Sequence, residues 1–401
     1  MQTPQTPSVS VILPTYNRAD TLDRALDSVV GQWFEDWELI VVDDGSQDHT
    51  VELVQQRRDP RIRLVTQDNA GVYVARNRGL AEARGRLITF LDSDDAWRPH
   101  YLSLTTAFLA SAPDQAVVTT EFHQDFGAHV ERHDHHSISR PYLRFAHQIG
   151  SNGLDLPPGE RDDYLRVYAQ RHTVGAWGQD IVQRLGLPQA HWYSGRIFRH
   201  MRWGYLHWLP ITMVRREAVD AIGPFSTRTR NAADFQFLGR LARQFTFNMI
   251  AIPSAIKYER AMGNRQVHQG HLATGANSYS FEVNKLSYFD ELFAAELPGD
   301  PELQTVRCHY EYFAGYAALR KGDRQAAARH FARAARWRPH LRRAYAYRVL
   351  VGALPSDAVA ARLVESAVRV EDLVRRVAIG ETSVGELWRK AGAKLKARLG
   401  T

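Results

Sequence analysis

Asp92, Ser93, Asp94 and Asp95 follow directly on an apolar run, Leu87 to Leu91, that reads as a short buried strand. Three carboxylates at one strand end repel one another, and holding them together costs free energy unless a cation or a hydrogen-bond network offsets their charge. A hard divalent cation, Mg²⁺ or Mn²⁺, resolves that repulsion, because such ions take oxygen ligands and are commonly held by one or two carboxylates together with substrate phosphates. The plainer explanation is an acidic cap on the helix that starts near Pro99. Taken alone, the cluster fits either.

The elements that must position these acids are legible upstream. Ser8 to Leu13 is a β-branched run stopped by Pro14, which predicts a strand ending in a turn. Leu22, Ala25, Leu26 and Val29 recur at helical spacing within Asp20 to Val30. Glu38 to Val42 is a second apolar strand, halted by Asp43-Asp44-Gly45-Ser46, and a helix with Asp48 as its N-cap runs on to Arg57. Arg61 to Thr66 reads as a strand, Gly71 to Arg84 as a helix with Val74, Leu80 and Ala81 inward, and Arg86 to Leu91 as the fourth strand. Alternation of this kind, with near-continuous apolar strands, predicts an α/β fold with a mostly parallel sheet covered by helices on both faces. Ligands of such sheets bind beyond the carboxyl ends of the strands. Thr15-Tyr16-Asn17-Arg18, Asp43-Asp44 and Asp92 to Asp95 all fall on that rim.

Beyond the helix Pro99 to Ser111 and the strand Ala116 to Phe122 the pattern breaks. His123 to His207 holds 10 of the chain's 17 histidines with many aromatics, and reads as an irregular and helical insertion with a candidate helical hairpin from Arg166 to Leu185. His133-Asp134-His135-His136 has metal-ligand residue types, but no element fixes their geometry, and a solvated loop explains them better. A strand from Leu209 to Arg215, a short helix Glu217 to Ile222, a helix Ala233 to Gln244 with Phe237, Leu238 and Leu241 inward, and an edge strand Phe245 to Pro253 complete a domain over residues 1–281. Asp234 sits in the first turn of its helix, where the macrodipole favours an acid.

Residues 282–401 read as helical. Gly315, Ala327, Phe331, Ala334 and Pro339 occupy positions of a tetratricopeptide-like register starting at Cys308, which predicts one or two degenerate helical pairs. In the last segment, Leu387, Ala391, Leu395 and Leu399 form one stripe flanked by Arg389, Lys390, Lys394, Lys396 and Arg398, with Trp388 beside it. Such a stripe over 386–399 either lies on an anionic membrane surface or packs on the helical region, which could itself receive a protein partner. Gly315 to Thr401 holds 19 Lys+Arg against 7 Asp+Glu in a chain whose net charge is only +7, so the basic character belongs to the tail. No nucleic-acid partner is expected. The single cysteine excludes an internal disulfide, Met1 to Pro7 lacks the features of a signal peptide, and no apolar stretch approaches a membrane span. A cytoplasmic protein, peripheral on the inner face of the membrane, fits these features.

Val9 to Arg18, Val41 to Ser46 with Asp48 and Thr50, Asn69-Ala70-Gly71, Ala75-Arg76-Asn77 with Gly79, and Phe90 to Asp95 with Trp97 and Pro99 together resemble family 2 glycosyltransferases of the Rossmann-like GT-A fold. The resemblance implies a nucleotide pocket at Pro14, Thr15, Tyr16 and Asn17, with Tyr16 stacked on the base. It implies Asp43 as the partner of a uracil ring, Asp44 as its neighbour, and Arg76 and Asp92 as further nucleotide contacts. Asp92 and Asp94 are similar to the family's metal-binding DXD motif, with Asp95 close enough to share the ion. Asn231 to Phe235 resembles the segment that carries the family's general base, making Asp234 the candidate, although Ala233 stands where the family has an acid.

The implied activity is an inverting, metal-dependent transfer of sugar from a nucleoside-diphosphate sugar, with a UDP-sugar favoured, to a hydroxyl of a saccharide or lipid-linked acceptor in polysaccharide or glycoconjugate synthesis. The insertion would shape the acceptor side. Two other readings compete. A nucleotidyltransferase would carry a Gly-rich loop after the first strand, and Pro14-Thr15-Tyr16-Asn17 has no glycine. A non-catalytic protein that retains the fold and binds nucleotide-sugar or a partner is kept in view by Ala232-Ala233 beside the candidate base.

Overall fold

The computed structural model describes residues 6–125, 130–133, 163–203, 206–258 and 277–337. Four strands, β1 (Val9–Thr15), β2 (Trp37–Asp43), β3 (Ile62–Thr66) and β4 (Leu87–Phe90), alternate with helices α1 (Leu22–Val30), α2 (Thr50–Gln56) and α3 (Val72–Glu82). They pair in parallel in the order β3-β2-β1-β4, and every residue of β1, β2 and β4 is buried, as expected of strands covered on both faces. Pro14 does not stop β1, which continues through Thr15 opposite Asp43. The β4 ladder ends at Ile12 opposite Phe90, so the N–H that Pro14 lacks falls where no partner strand remains. Leu22, Ala25, Leu26 and Val29 are the buried face of α1, as their spacing predicts.

The second half of the sheet is mixed. After β5 (Ala96–Trp97) and α4 (Tyr101–Ser111) come β6 (Val117–Asp125) and β7 (Val130–His133). A 3₁₀ turn (Asp163–Arg166), β8 (Gln170–Thr173), α5 (Gln179–Arg184) and β9 (His191–Gly195) follow, so the helical hairpin expected over Arg166 to Leu185 is instead a strand and a two-turn helix. β8 is polar and largely exposed, which explains why no apolar pattern betrays it. A 3₁₀ turn over Leu209–Ile211 leads into β10 (Thr212–Arg215), which inserts antiparallel between β4 and β6. α6 (Arg216–Ile222) and α7 (Ala233–Gln244) precede β11 (Phe247–Tyr258). β11 is no edge strand: it pairs with β6 on one side and β9 on the other. His133 closes β7, while residues 134–136 of the histidine cluster lie outside the described residues.

Three further helices are α8 (Asn277–Leu292), α9 (Pro301–Lys321) and α10 (Arg324–Trp337). The chain divides into two compact units, Met1–Leu272 with Ser287–Val306, and Ala273–Leu286 with Arg307–Thr401. In the second unit α9 and α10 approach closely. A Cβ on Gly315 would lie 2.9 Å from the Phe331 ring, Ala327, Phe331 and Ala334 are fully buried, and the Cys308 thiol donates to the Ala334 carbonyl at 3.2 Å. A buried carboxylate, Glu311, is surrounded by Arg307, His330 and Arg333. Pro339, the second register and the stripe over 386–399 lie outside the described residues. Among the described residues no helix is long and apolar enough to cross a membrane.

Candidate active site

The ends of β1 and β2 are stitched together by side chains reaching backbone. Asn17, at φ +50°, donates its amide to Ser46 Oγ and accepts the Gln47 amide on its own Oδ1. Arg18 donates its amide to Thr50 Oγ1, and Asp48 accepts from the Ala19 and Thr50 amides. Asp48 therefore stands ahead of α2, which begins at Thr50, and locks it to the 17–19 loop. Gly45 takes φ +79°, and a Cβ there would lie 2.9 Å from the Asn69 amide nitrogen, so the turn requires glycine. In this frame Asp43 is 2% exposed: Oδ2 accepts the Ser46 amide, while Oδ1 is buried with no hydrogen-bond partner. Thr15, its register partner across the sheet, also has a buried hydroxyl with no hydrogen-bond partner. Two adjacent unsatisfied polar groups are costly in an empty fold and match a polar ligand edge. Tyr16 is half-buried beside them.

Asp44 is used differently. Its Oδ1 accepts from Gln67 Nε2 (2.7 Å) and the Ala70 amide (2.9 Å), and its Oδ2 from the Gly71 amide (2.8 Å). The carboxylate thus fixes the loop that launches α3. The inward face of α3 is Tyr73, Ala75, Arg76 and Gly79, not Val74, Leu80 and Ala81: Ala81 is exposed. Gly79 sets this rotation, because a Cβ there would come within 2.4 Å of Ile12 Cγ2 on β1. The helix turns a polar face inward because that face works.

Arg76 Nη2 donates to Asp92 Oδ1 at 2.6 Å. Burial works against the guanidinium's charge, but Asp92, Tyr73 and Asp234 raise its pKa above the usual arginine value. Asp94 lies 3.4 Å from Arg18 Nη2, and its carbonyl accepts from Arg24 Nη2, whose guanidinium stacks 3.5 Å over the Tyr258 ring. Asp95 is buried and accepts the Tyr258 amide. Burial first, then the charges of Asp94 and Asp92, push its carboxyl well above the usual range, against the pull of Lys257. Among the described residues no three acids, histidines or cysteines converge to hold an ion by themselves. The donor set nonetheless fits a hard cation: Asp92 and Asp94 keep 28% and 27% of their side-chain surface in solvent, and such ions usually complete their shell from substrate phosphates and water.

Asp234 enters this site from the first turn of α7. Its Oδ1 accepts from the Tyr73 hydroxyl at 3.1 Å. One turn along α3, Asn77 clasps Phe225 through two main-chain bonds, Nδ2 to the carbonyl (2.9 Å) and Oδ1 from the amide (2.8 Å). The Phe225 ring stacks on Phe237 of α7 at 4.0 Å and receives the edge of Phe90 at 5.3 Å. One helix, α3, therefore connects Asp92 through Arg76 with Asp234 through Tyr73. Sequence reading missed Tyr73 as a site residue; its i, i+3 spacing to Arg76 on a helix that must face the rim was the available signal.

Residues 10–168 match the family described as "Glycosyl transferase family 2". The chain is 42% identical over 102 residues to the UDP-Glc:alpha-D-GlcNAc-diphosphoundecaprenol beta-1,3-glucosyltransferase WfgD of Escherichia coli, covering 25% of this chain and 40% of that protein. It is 47% identical over 97 residues to the succinoglycan biosynthesis protein ExoO of Rhizobium meliloti (strain 1021), covering 24% of this chain and 28% of that protein. The matched stretch spans less than half the length of these relatives. The crystal structure of S. aureus TarS 1-349 in complex with UDP-GlcNAc superposes with a TM-score of 0.51 at 16% identity, over 90% of this chain and 92% of that one, a likeness of fold. Residues 10–168 thus match the glycosyl transferase family 2 model, the fold is like that of TarS, and Asp234 lies beyond the segment that carries the family match.

Proposed function

We propose that the protein is an inverting glycosyltransferase that moves a sugar from a UDP-sugar to a hydroxyl of a saccharide or lipid-linked acceptor, in cell-surface or other polysaccharide synthesis. The observation that carries this reading is the joining of Asp92 and Asp234 through Arg76 and Tyr73 of one helix, which supports assigning the two carboxylates to the donor and acceptor sides of one site. WfgD, by its name a UDP-glucose-dependent transferase acting on a lipid-linked diphosphate acceptor, lends support to both substrate classes.

In this reading the buried Oδ1 of Asp43 accepts the imide N–H of uracil, and Tyr16 stacks on the ring. Asp92 and Asp94, with Asp95 behind them, would hold a divalent cation, which when bound would supply positive charge to the leaving diphosphate. Asp44 acts one step back, by fixing the start of α3. Asp234 takes the proton of the acceptor hydroxyl as it attacks C1 on the face opposite the leaving diphosphate; the C1–O bond to the acceptor forms as the bond to UDP breaks. Base catalysis of this kind contributes roughly 10²- to 10⁴-fold. Residues 1–281 form the transferase domain and 282–401 a helical region with a degenerate tetratricopeptide-like pair, whose basic end over 386–399 docks on an anionic membrane.

Calorimetric titration with UDP, with and without Mn²⁺, tests the donor site on the native chain and on Asp94→Ala. Metal-dependent binding that disappears in the variant is the expected result. Binding with no metal dependence, or none at all, would overturn the donor assignment. Turnover by Asp234→Ala at the native rate would remove Asp234 as the base, and donor binding with no turnover by the native chain would leave a nucleotide-sugar binding protein as the better reading.

A further inference from the structure

The first turn of α7 starts badly for a helix. Its N-cap is Ala232, held at φ +64°, whose methyl group makes no capping hydrogen bond. Yet Asp234, which must point at a substrate, stands in that turn. The group that meets it comes from another helix. The Tyr73 hydroxyl donates to Asp234 Oδ1 at 3.1 Å. The Tyr73 ring cannot drift: it is buried, stacked against Phe225 at 5.9 Å, and Phe225 is in turn stacked on Phe237 of α7 and clasped by Asn77.

We propose that Tyr73 is a positioning residue for Asp234, holding its carboxylate from α3 in the orientation proton transfer requires. The inference rests on the reading of Asp234 as general base. Burial, and next the Asp234 charge, push the phenol well above its ordinary pKa of 10, so the hydroxyl keeps its proton and acts as a donor, not as a base itself. Arg76, on the next turn of α3, holds Asp92 in the same way, so the relative placement of the two carboxylates is set by one rigid element.

Tyr73→Phe removes the hydroxyl and keeps the ring in its stack. Amide hydrogen exchange on the full chain needs no substrate: the amides of residues 233–236 are expected to exchange at least roughly tenfold faster in the variant, with those of 74–82 unchanged. Unchanged protection at 233–236 would overturn the hold of Tyr73 on the first turn of α7. With whichever UDP-sugar and acceptor the native chain turns over, kcat is expected to fall roughly 10- to 100-fold while donor KM and calorimetric UDP affinity stay within about twofold. A parallel loss of UDP affinity would make Tyr73 merely structural and overturn the proposal, as would native kcat. Asp234→Asn, run alongside, separates the two failures. If Asp234→Asn abolishes turnover and Tyr73→Phe does nothing, the positioning inference alone falls; if Asp234→Asn turns over normally, the base assignment falls first.

Discussion

Arg76 Nη2 lies 2.6 Å from Asp92 Oδ1, and the guanidinium that makes this contact is buried while the carboxylate reaches solvent. The pair is asymmetric. Removing the arginine leaves Asp92 able to hydrate, whereas removing the carboxylate strands a cation in the protein.

Arg76→Ala is therefore expected to cost about 3 kcal/mol of stability, the low end for breaking a buried pair, and Asp92→Ala more. Urea unfolding of the two variants gives the order directly. Arg76→Lys keeps the charge without the planar fork and should recover only part of the loss. Equal midpoints for native chain and Arg76→Ala would remove the pair from the stability of the fold.

Asp43 presents one buried oxygen with no internal partner. Asp43→Asn keeps an oxygen for the Ser46 amide and turns an N–H toward the pocket, which suits the unprotonated ring nitrogen of cytosine and opposes the imide of uracil. UDP affinity is expected to drop roughly 10- to 100-fold and CDP affinity to rise, measured by calorimetry on both nucleotides. Unchanged preference would place the base elsewhere.

Gly79→Ala forces a methyl group within 2.4 Å of Ile12 Cγ2 in the buried interface of α3 and β1. Overpacking of this kind costs about 1–3 kcal/mol, and here the displaced element carries Tyr73 and Arg76. A lower midpoint in thermal unfolding together with weaker UDP binding is expected; a fall in stability alone would mean that α3 can yield without disturbing the donor side.

In the helical unit, burial raises the Glu311 carboxyl, but hydrogen bonds from His330 and Arg333 and the charge of Arg307 outweigh it and bring the pKa from 4.5 to about 2. A group depressed on folding stabilises above its unfolded pKa, and that contribution is lost as pH falls from about 4.5 toward 2. The urea midpoint followed by circular dichroism should fall over this window in the native chain and fall less in Glu311→Gln. A parallel decline in both would assign the acid sensitivity to other carboxylates.

How much of this was legible beforehand varies with the physics of each segment. β1, β2 and β4 are apolar runs with both faces buried, followed by the polar Tyr16-Asn17, Gly45 or the acidic cluster, so their existence and their common rim followed from composition. α1 buries a wholly apolar stripe, and hydrophobic period found each inward residue. The same rule failed on α3, whose buried face includes Tyr73 and Arg76: period finds greasy faces, and this one is polar for chemical reasons. β8, Gln170–Thr173, is an exposed edge with no apolar signal at all. β11 was misjudged as an edge because its partners, residues 117–125 and 191–195, are distant in the chain. Asp44 and Asp43 are neighbours of one type, and only the coordinates separate the carboxylate already satisfied from the one that is not.

Asn77 grips Phe225 by its main-chain amide and carbonyl alone. Such a joint does not read the side chain: any residue at 225 except proline offers the same two atoms. The segment that delivers Asp234 can thus change in sequence without losing its mooring on the half built from β1 to β4.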